Sequence, residues 1–369
     1  MKRRVTVREI GRRAGVSHTT AAYVLGGKGA AAGISERTQA HVQTVAQELG
    51  WRPNQLVSAF FNGKTRLIGA WFSDLGPPYH AAVMSALEAV LRQDDYAMLL
   101  SPAQANQPPP KYDLSLFTKW AADGLIGLDG PQHLRRFCDL HPRWVMPTVS
   151  IGSFALRDHP RVDSVYVDVL SPIREQLSAW QAGGRTRIAM LSGHDPSSAL
   201  DCPREDCYRS FMQAQGAQEE FIRFTHGSSQ RGSAEQALDA YVDAAPSLPE
   251  AIFCRSDETL MGCYKALRKR GVKIPDEIAL LGVDGIAEVQ YLESPVATVV
   301  QPIKEMAETA WAVLRERMEH PGQPAQHVTL TGRLELEMGG YGTLSREHIT
   351  SDGVAHRSES EPVTRGTAE

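Results

Sequence analysis

Apolar positions along the chain follow two regimes, and the change falls near residue 66. In the first regime they recur at helical spacing. Val7, Ile10 and Ala14 lie about one turn apart, which predicts a helix over Thr6 to Ala14. Gly15 follows where the chain must reverse, and glycine enters the left-handed conformation without steric cost. Ser17 is a natural N-cap, so a second helix is expected from Ser17 to Leu25. Its inward side would carry Val16, Ala21, Val24 and Leu25, leaving His18, Thr19, Thr20, Ala22 and Tyr23 on or near the outer face. A Gly/Ala loop over residues 26–33 leads to a third helix, Ser35 to about Leu49, with Thr38, Val42, Val45, Ala46 and Leu49 inward. Arg52-Pro53-Asn54 breaks that helix, and Pro53 suits the first turn of another. The stretch 54–62 holds Leu56, Val57, Phe60 and Phe61, more apolar surface than a plain linker needs.

Beyond Arg66 the apolar residues come in short unbroken runs. Leu67–Phe72, Tyr96–Leu100, Gly124–Leu128, Thr148–Ile151, Ser164–Val167, Arg187–Leu191, Ala251–Cys254 and Ile278–Val283 read as buried strands, and helical stretches such as Ala81–Arg92 separate most of them. Apolar strands alternating with helices specify a parallel sheet covered on both faces. Ligands bind such sheets beyond the carboxyl ends of the strands. After Gly340 the chain turns polar and aperiodic, and residues 343–369 are expected to form a disordered tail.

Charge sharpens the division. The first 66 residues hold 11 Lys and Arg against three acids, whereas the whole chain of 369 residues has a net charge of −4. A basic head on an acidic body is the electrostatic footprint of a nucleic-acid reader joined to something else. No apolar run is long enough to span a bilayer, and none follows Met-Lys-Arg-Arg as a secretory signal would require. The five cysteines, Cys138, Cys202, Cys207, Cys254 and Cys263, are odd in number and scattered, which argues for a reducing cytoplasm. None forms a C-x2-C pair, so no structural zinc or other metal site is expected.

The order of parts resembles the lactose-repressor/galactose-repressor family of bacterial transcription regulators over about residues 4–340. The head motif Val7-x-x-Ile10-x-x-x-Ala14-Gly15-Val16-Ser17-x-x-Thr20-x-x-x-Val24-Leu25 carries the likeness, with Glu48-Leu49-Gly50-Trp51-Arg52-Pro53-Asn54 and Gly63-Lys64-Thr65-x-x-Ile68-Gly69. In the body, Asp123-Gly124-Leu125-Ile126, Ser256-Asp257 and Gly282-Val283-Asp284 fall where the family has pocket and strand-end motifs. The resemblance implies an all-α helix-turn-helix headpiece over 1–52 and a hinge helix with linker over 53–66. An α/β core of two doubly wound parallel-sheet lobes over 67–342 then follows, similar to periplasmic sugar-binding proteins. It also implies a homodimer on a palindromic double-stranded DNA operator, most often acting as a repressor, with no cofactor and an affinity set by a small polar effector.

Carried over position by position, the base-reading side chains are His18, Thr19 and Tyr23. The family often has Arg where this chain has Tyr23; Arg pairs bidentately with guanine, whereas a phenol makes one hydrogen bond or an apolar contact. Thr6, Ser17, Thr20, Arg3, Arg8 and Lys64 would touch phosphate. In the hinge, Val57 and Phe60 would meet the minor groove, Phe60 as an apolar wedge; packing on a dimer mate or on the core is the plainer reading of Phe60. The loop 26–33 is about three residues longer than the family's habit.

The effector contacts implied are Ser73, Tyr79, His80, Arg204, Ser256 and Asp284. Asp284 could accept from two hydroxyls, Arg204 could fork to two oxygens, and Tyr79 could stack on a ring. Plainer readings make Asp284 a helix N-cap and pair Arg204 with Glu205 or Asp206. Gly152 stands where many relatives have Asp, Ser256 replaces the usual Asn, and the pocket aromatic expected near Gly227 is missing, with Phe224 or His226 as substitutes. The effector class these residues suit is a carbohydrate or derivative. A carbohydrate transport protein would account for the body but not the basic head. An enzyme is not expected: Ser192-Gly193-His194-Asp195 sets triad residue types side by side, where sequence proximity cannot build a triad. P-loop, G-x-S-x-G and H-E-x-x-H motifs are all missing.

Overall fold

The computed structural model describes residues 5–51, 64–72, 76–102, 115–143, 145–194, 202–225 and 229–338. Arg3, Val57, Phe60, Ser73, the expected hinge helix and the tail lie outside the described residues.

The head is three helices, α1 (Val7–Arg13), α2 (His18–Leu25) and α3 (Glu36–Glu48). Each begins on a hydroxyl cap: Thr6, Ser17 and Ser35 accept from the N–H groups of Glu9, Thr20 and Thr38 at 3.3, 3.0 and 3.3 Å. Gly15 reverses the chain at φ +67°. Gly11 lets α1 and α2 close together, since a Cβ there would come within 3.4 Å of Ala21. Ile10, Ala14, Ala21, Val24, Val42, Val45 and Ala46 form a core separate from that of the body. The fully buried Ile10 alone contributes about 1.5–3 kcal/mol.

The body has two six-stranded sheets. The first lobe contains β1 (Leu67–Phe72), α4 (Pro78–Gln93), β2 (Ala97–Pro102), α5 (Ser115–Lys119), β3 (Gly124–Leu128), α6 (Pro131–Leu140), β4 (Thr148–Gly152) and β5 (Asp163–Asp168). The second contains α7 (Leu170–Ala182), β6 (Ile188–His194), α8 (Pro203–Ala214), β7 (Phe221–Thr225), α9 (Gln230–Ala244), β8 (Ala251–Cys254), α10 (Asp257–Lys269), β9 (Ala279–Asp284), a 3-10 turn (Ala287–Tyr291) and β10 (Val296–Val300). The chain then returns as α11 (Ile303–Glu319) and β11 (His327–Thr331) to the first lobe, and crosses again as β12 (Arg333–Met338) to the second. Strand orders are β11-β5-β4-β3-β1-β2 and β12-β10-β9-β8-β6-β7, the same doubly wound plan twice.

The two doubly wound lobes are as expected, and the second adds one antiparallel edge strand, β12 against β10. The reason is connectivity. Strands of the first lobe point their carboxyl ends at the cleft, so β11, parallel to β5, leaves the lobe there. With Gly332 alone between them, β12 enters the second lobe from the cleft side, against its neighbours. The three crossings lie abreast at this glycine. Its N–H donates to Asp168 O at 2.9 Å, and a Cβ on it would stand 2.9 Å from Val299 Cγ1.

Two polar devices brace the first lobe. Arg317 of α11 forks onto the buried Asp163 of β5 at 2.8 and 2.7 Å, and Asp163 also accepts the Gln326 N–H. At the entry end of β3, Asp123 accepts the N–H groups of Thr65 and Arg66, both at 2.9 Å, and the Thr65 hydroxyl. Asp123 therefore stands at the linker end of its strand and not in the pocket, and it fastens the first described residues after the hinge to the first lobe.

Candidate functional site

In the head, α2 turns His18 and Thr19 to solvent, and Tyr23, a large aromatic side chain, is 45% exposed. Ala21 and Val24 point the other way into the core, so helical periodicity splits the element as its sequence required. Ser17 and Thr20 join hydroxyls at 2.8 Å above the first turn, where unpaired backbone N–H groups favour anions. Thr6, Arg8 and Lys64 are all exposed. This face offers hydrogen-bonding side chains on an exposed helix, as entry into a major groove requires.

The second candidate lies between the lobes, at the carboxyl ends of both sheets. Arg204, in the first turn of α8, is turned inward and not toward Glu205 or Asp206. Its Nη2 donates to Ser153 of the first lobe at 2.9 Å and meets Asp284 of the second at 3.3 Å, while Nη1 donates to Arg255 O at 2.6 Å. One guanidinium thus joins the two lobes. Asp284 sits at the end of β9 with φ +117°, and its Oδ1 also accepts from Gln301 Nε2 at 2.9 Å. Its partners are cleft groups, and it caps no helix. Gln301 in turn accepts from the buried Tyr79 hydroxyl at 3.0 Å. Tyr79 and His80 stand in the first turn of α4, which begins at Pro78, three residues before the expected start. Their rings lie 5.6 Å apart.

Burial pushes the carboxyls of Asp284 and Asp129 above the ordinary range, against the pull of nearby Arg204 and His80. Burial, with Asp129 and Asp284 adding, also lifts the Tyr79 phenol well above its usual value. Burial opposes the charge on Arg204, but Asp284 and Asp129 outweigh it and raise its pKa. The cluster therefore holds its charges by mutual compensation within a desolvated site.

Sequence reasoning missed Asp129, Ser153, Phe154 and Gln301. Asp129 directly follows a strand whose end was read as Leu128, and a strand-end acid in a doubly wound sheet is a signal in itself. Gln301 follows β10, which the apolar pattern did not reveal. Two residues expected at the pocket make contacts within the fold. Ser256 caps α10, and its hydrogen bonds go to Thr259. Phe224 is buried in the core, and His226 lies outside the described residues. Ser192 donates to Glu205 at 2.6 Å, and Glu205 is gripped by Arg223, so this serine belongs to a buried structural network. Asp257, just after Ser256, accepts from the N–H groups of Gly285 and Ile286 at 2.7 and 2.9 Å and from Thr298, which fixes the turn that presents Asp284.

Fold and site together define a class: a helix-turn-helix DNA reader carried on a two-lobed ligand-binding core of periplasmic-binding-protein type. Residues 6–54 match the bacterial regulatory proteins of the lacI family, and residues 180–336 match the periplasmic binding protein-like domain. In both parts, and over most of its length, the chain is similar to the lactose-repressor/galactose-repressor family of DNA-binding transcriptional regulators. The HTH-type transcriptional regulator PtxS of Pseudomonas aeruginosa is 24% identical over 331 residues, 90% of this chain and 94% of its own. Among solved structures, the lac repressor dimer bound to operator and the anti-inducer ONPF is similar with a TM-score of 0.76 and 18% identity, over 91% of this chain and 99% of that one. The transcriptional regulator CelR–cellobiose complex has a TM-score of 0.62 and 21% identity, over 91% and 100%. Among the described residues no helix is long and apolar enough to cross a membrane.

Proposed function

We propose that this regulator binds a palindromic operator as a cytoplasmic homodimer, acts as a repressor rather than an enzyme, and changes its grip when a small hydroxyl-rich effector enters the interlobe cleft. The observation that carries this reading is Arg204. It bonds to Ser153 across the cleft and to Asp284 on its own side, so a guest that competes for the guanidinium changes how the lobes meet. A ligand shifts the balance between two lobe geometries by its differential affinity for them. The dimer and operator in the lac repressor structure, and the cellobiose in the CelR structure, support the same reading.

In the head, His18, Thr19 and Tyr23 read base edges, while Arg3, Thr6, Arg8, Ser17, Thr20 and Lys64 hold phosphates. Val57 and Phe60 of the hinge enter the minor groove. Operator selection from random DNA with the full-length protein tests this. Two-fold symmetric sites are expected, and Tyr23→Arg should change the preferred base at one symmetric pair, discriminating by about 1–3 kcal/mol. Asymmetric sites would refute the homodimer, and an unchanged preference would remove Tyr23 from the reading set.

A further inference from the structure

The strand ends of the first lobe hold an exchange of side chains. Gly152, at the end of β4, has φ +107°, and a Cβ there would lie 2.2 Å from Asp129 Oδ1. Asp129 follows β3, the neighbour of β4 in the sheet, with Leu128 paired to Ile151. The volume next to Gly152 is thus filled by a carboxylate from the adjacent strand, and this carboxylate requires glycine at 152. Its aim is set by backbone on both sides. The Asp129 N–H donates to Ile151 O at 3.1 Å, and Oδ1 accepts the Phe154 N–H at 3.0 Å.

Asp129 remains partly exposed, and its charge acts together with that of Asp284 on Tyr79 and Arg204. The cleft wall therefore offers two carboxylates as acceptors. Against them stand the His80 ring, which pulls on both carboxylates, and one guanidinium, whose two terminal nitrogens are already engaged by Arg255 O, Ser153 and Asp284. Only Arg204 Nε, buried, lacks a hydrogen-bond partner. An incoming acid or phosphate would meet like charge from both carboxylates in a desolvated space and find the guanidinium occupied. Hydroxyls or an ammonium would find two ready acceptors.

We propose that the cleft takes a hydroxyl-rich ligand with no acid or phosphate group, uncharged or bearing an amine, and that Asp129 is the specificity residue that excludes anions. This rests on the reading of the cleft as the effector site. The test uses the full-length protein with matched probes: neutral hexoses, pentoses and disaccharides, the corresponding amino sugars, aldonic acids and sugar phosphates. Thermal shift ranks them, calorimetry measures the strongest of each class, and release of the selected operator is followed in parallel. The strongest binder should be neutral or an amino sugar. Asp129→Asn should weaken it by about tenfold or more and improve the acids relative to it. An acid or phosphate as strongest binder, or an unchanged ranking in Asp129→Asn, overturns this proposal and leaves the effector-cleft reading standing. If no probe of any class moves melting or operator release, the effector-cleft reading fails and takes the proposal with it.

Discussion

Asp123→Ala isolates the junction between the DNA-reading head and the body. In the native chain its carboxylate accepts from Thr65 N–H at 2.9 Å, Arg66 N–H at 2.9 Å and the Thr65 hydroxyl at 3.0 Å. Hydrogen bonds to a charged group contribute about 1.5–3 kcal/mol each when shielded. Thr65 and Asp123 are half-buried and Arg66 is exposed, so water competes for all three bonds. The Thr65 hydroxyl also keeps a second acceptor, Ala121 O, at 2.7 Å. The net loss should be about 2 kcal/mol, close to thirtyfold in the local opening equilibrium. Hydrogen exchange at the Thr65 and Arg66 amides should accelerate by about that factor, while exchange in the sheet core, set by global unfolding, barely changes. Asp123→Asn, which keeps one amide oxygen as acceptor, should fall between. Because the lobe would then grip the linker less, effector should also alter operator affinity less in Asp123→Ala than in the native protein. Unchanged exchange at both amides would refute the idea that this carboxylate fastens the linker.

Two further outcomes follow from the same arithmetic of buried groups. Arg317→Met leaves Asp163 buried without its fork and should destabilise the body by about 3–5 kcal/mol in urea unfolding; a loss under about 1 kcal/mol would contradict the assignment. Burial, with Asp284 adding, pushes the Asp257 carboxyl from 3.8 up to about 7. Between about pH 4 and 7 the folded chain therefore holds a proton that the unfolded chain releases, so this group lowers stability as pH rises through that window, with the full loss present above about 7. Asp129 and Asp284, also raised, add in the same direction. Unfolding between pH 5 and 8 should show a decline that is shallower in Asp257→Asn, and identical slopes would show that Asp257 does not titrate there.

The head was legible almost residue by residue because its signals are local. A hydroxyl cap, a helical repeat and a glycine reversal each act within four positions, and Thr6, Gly15, Ser17 and Ser35 stand where the chain needed them. The central strands were legible because burial on both faces leaves an unbroken apolar run, as in Gly124–Leu128 and Ala251–Cys254. Of the edge strands, β2 was legible and β7, β11 and β12 were not, and the inner strand β10 was missed as well. In β7 and β11 exposed and covered positions alternate, and the alternate polar residues hide them from a search for apolar runs. The cleft was legible in part. Tyr79, His80, Arg204 and Asp284 do converge, but Ser153, Gln301 and Asp129 join them through distant segments, and Ser256 was taken up by a cap. What the chain brings together across 222 positions, as with Tyr79 and Gln301, leaves no mark on either neighbourhood.

Gly332 gives the molecule its mechanics. Three covalent straps side by side favour bending about the line they define over sliding. The hydrogen bond to Asp168 and the close approach to Val299 hold that line thin. Any side chain at 332 would wedge the straps apart and prop the jaws at a new angle. Under the proposed effector reading, a guest in the jaws would do its work on that bend.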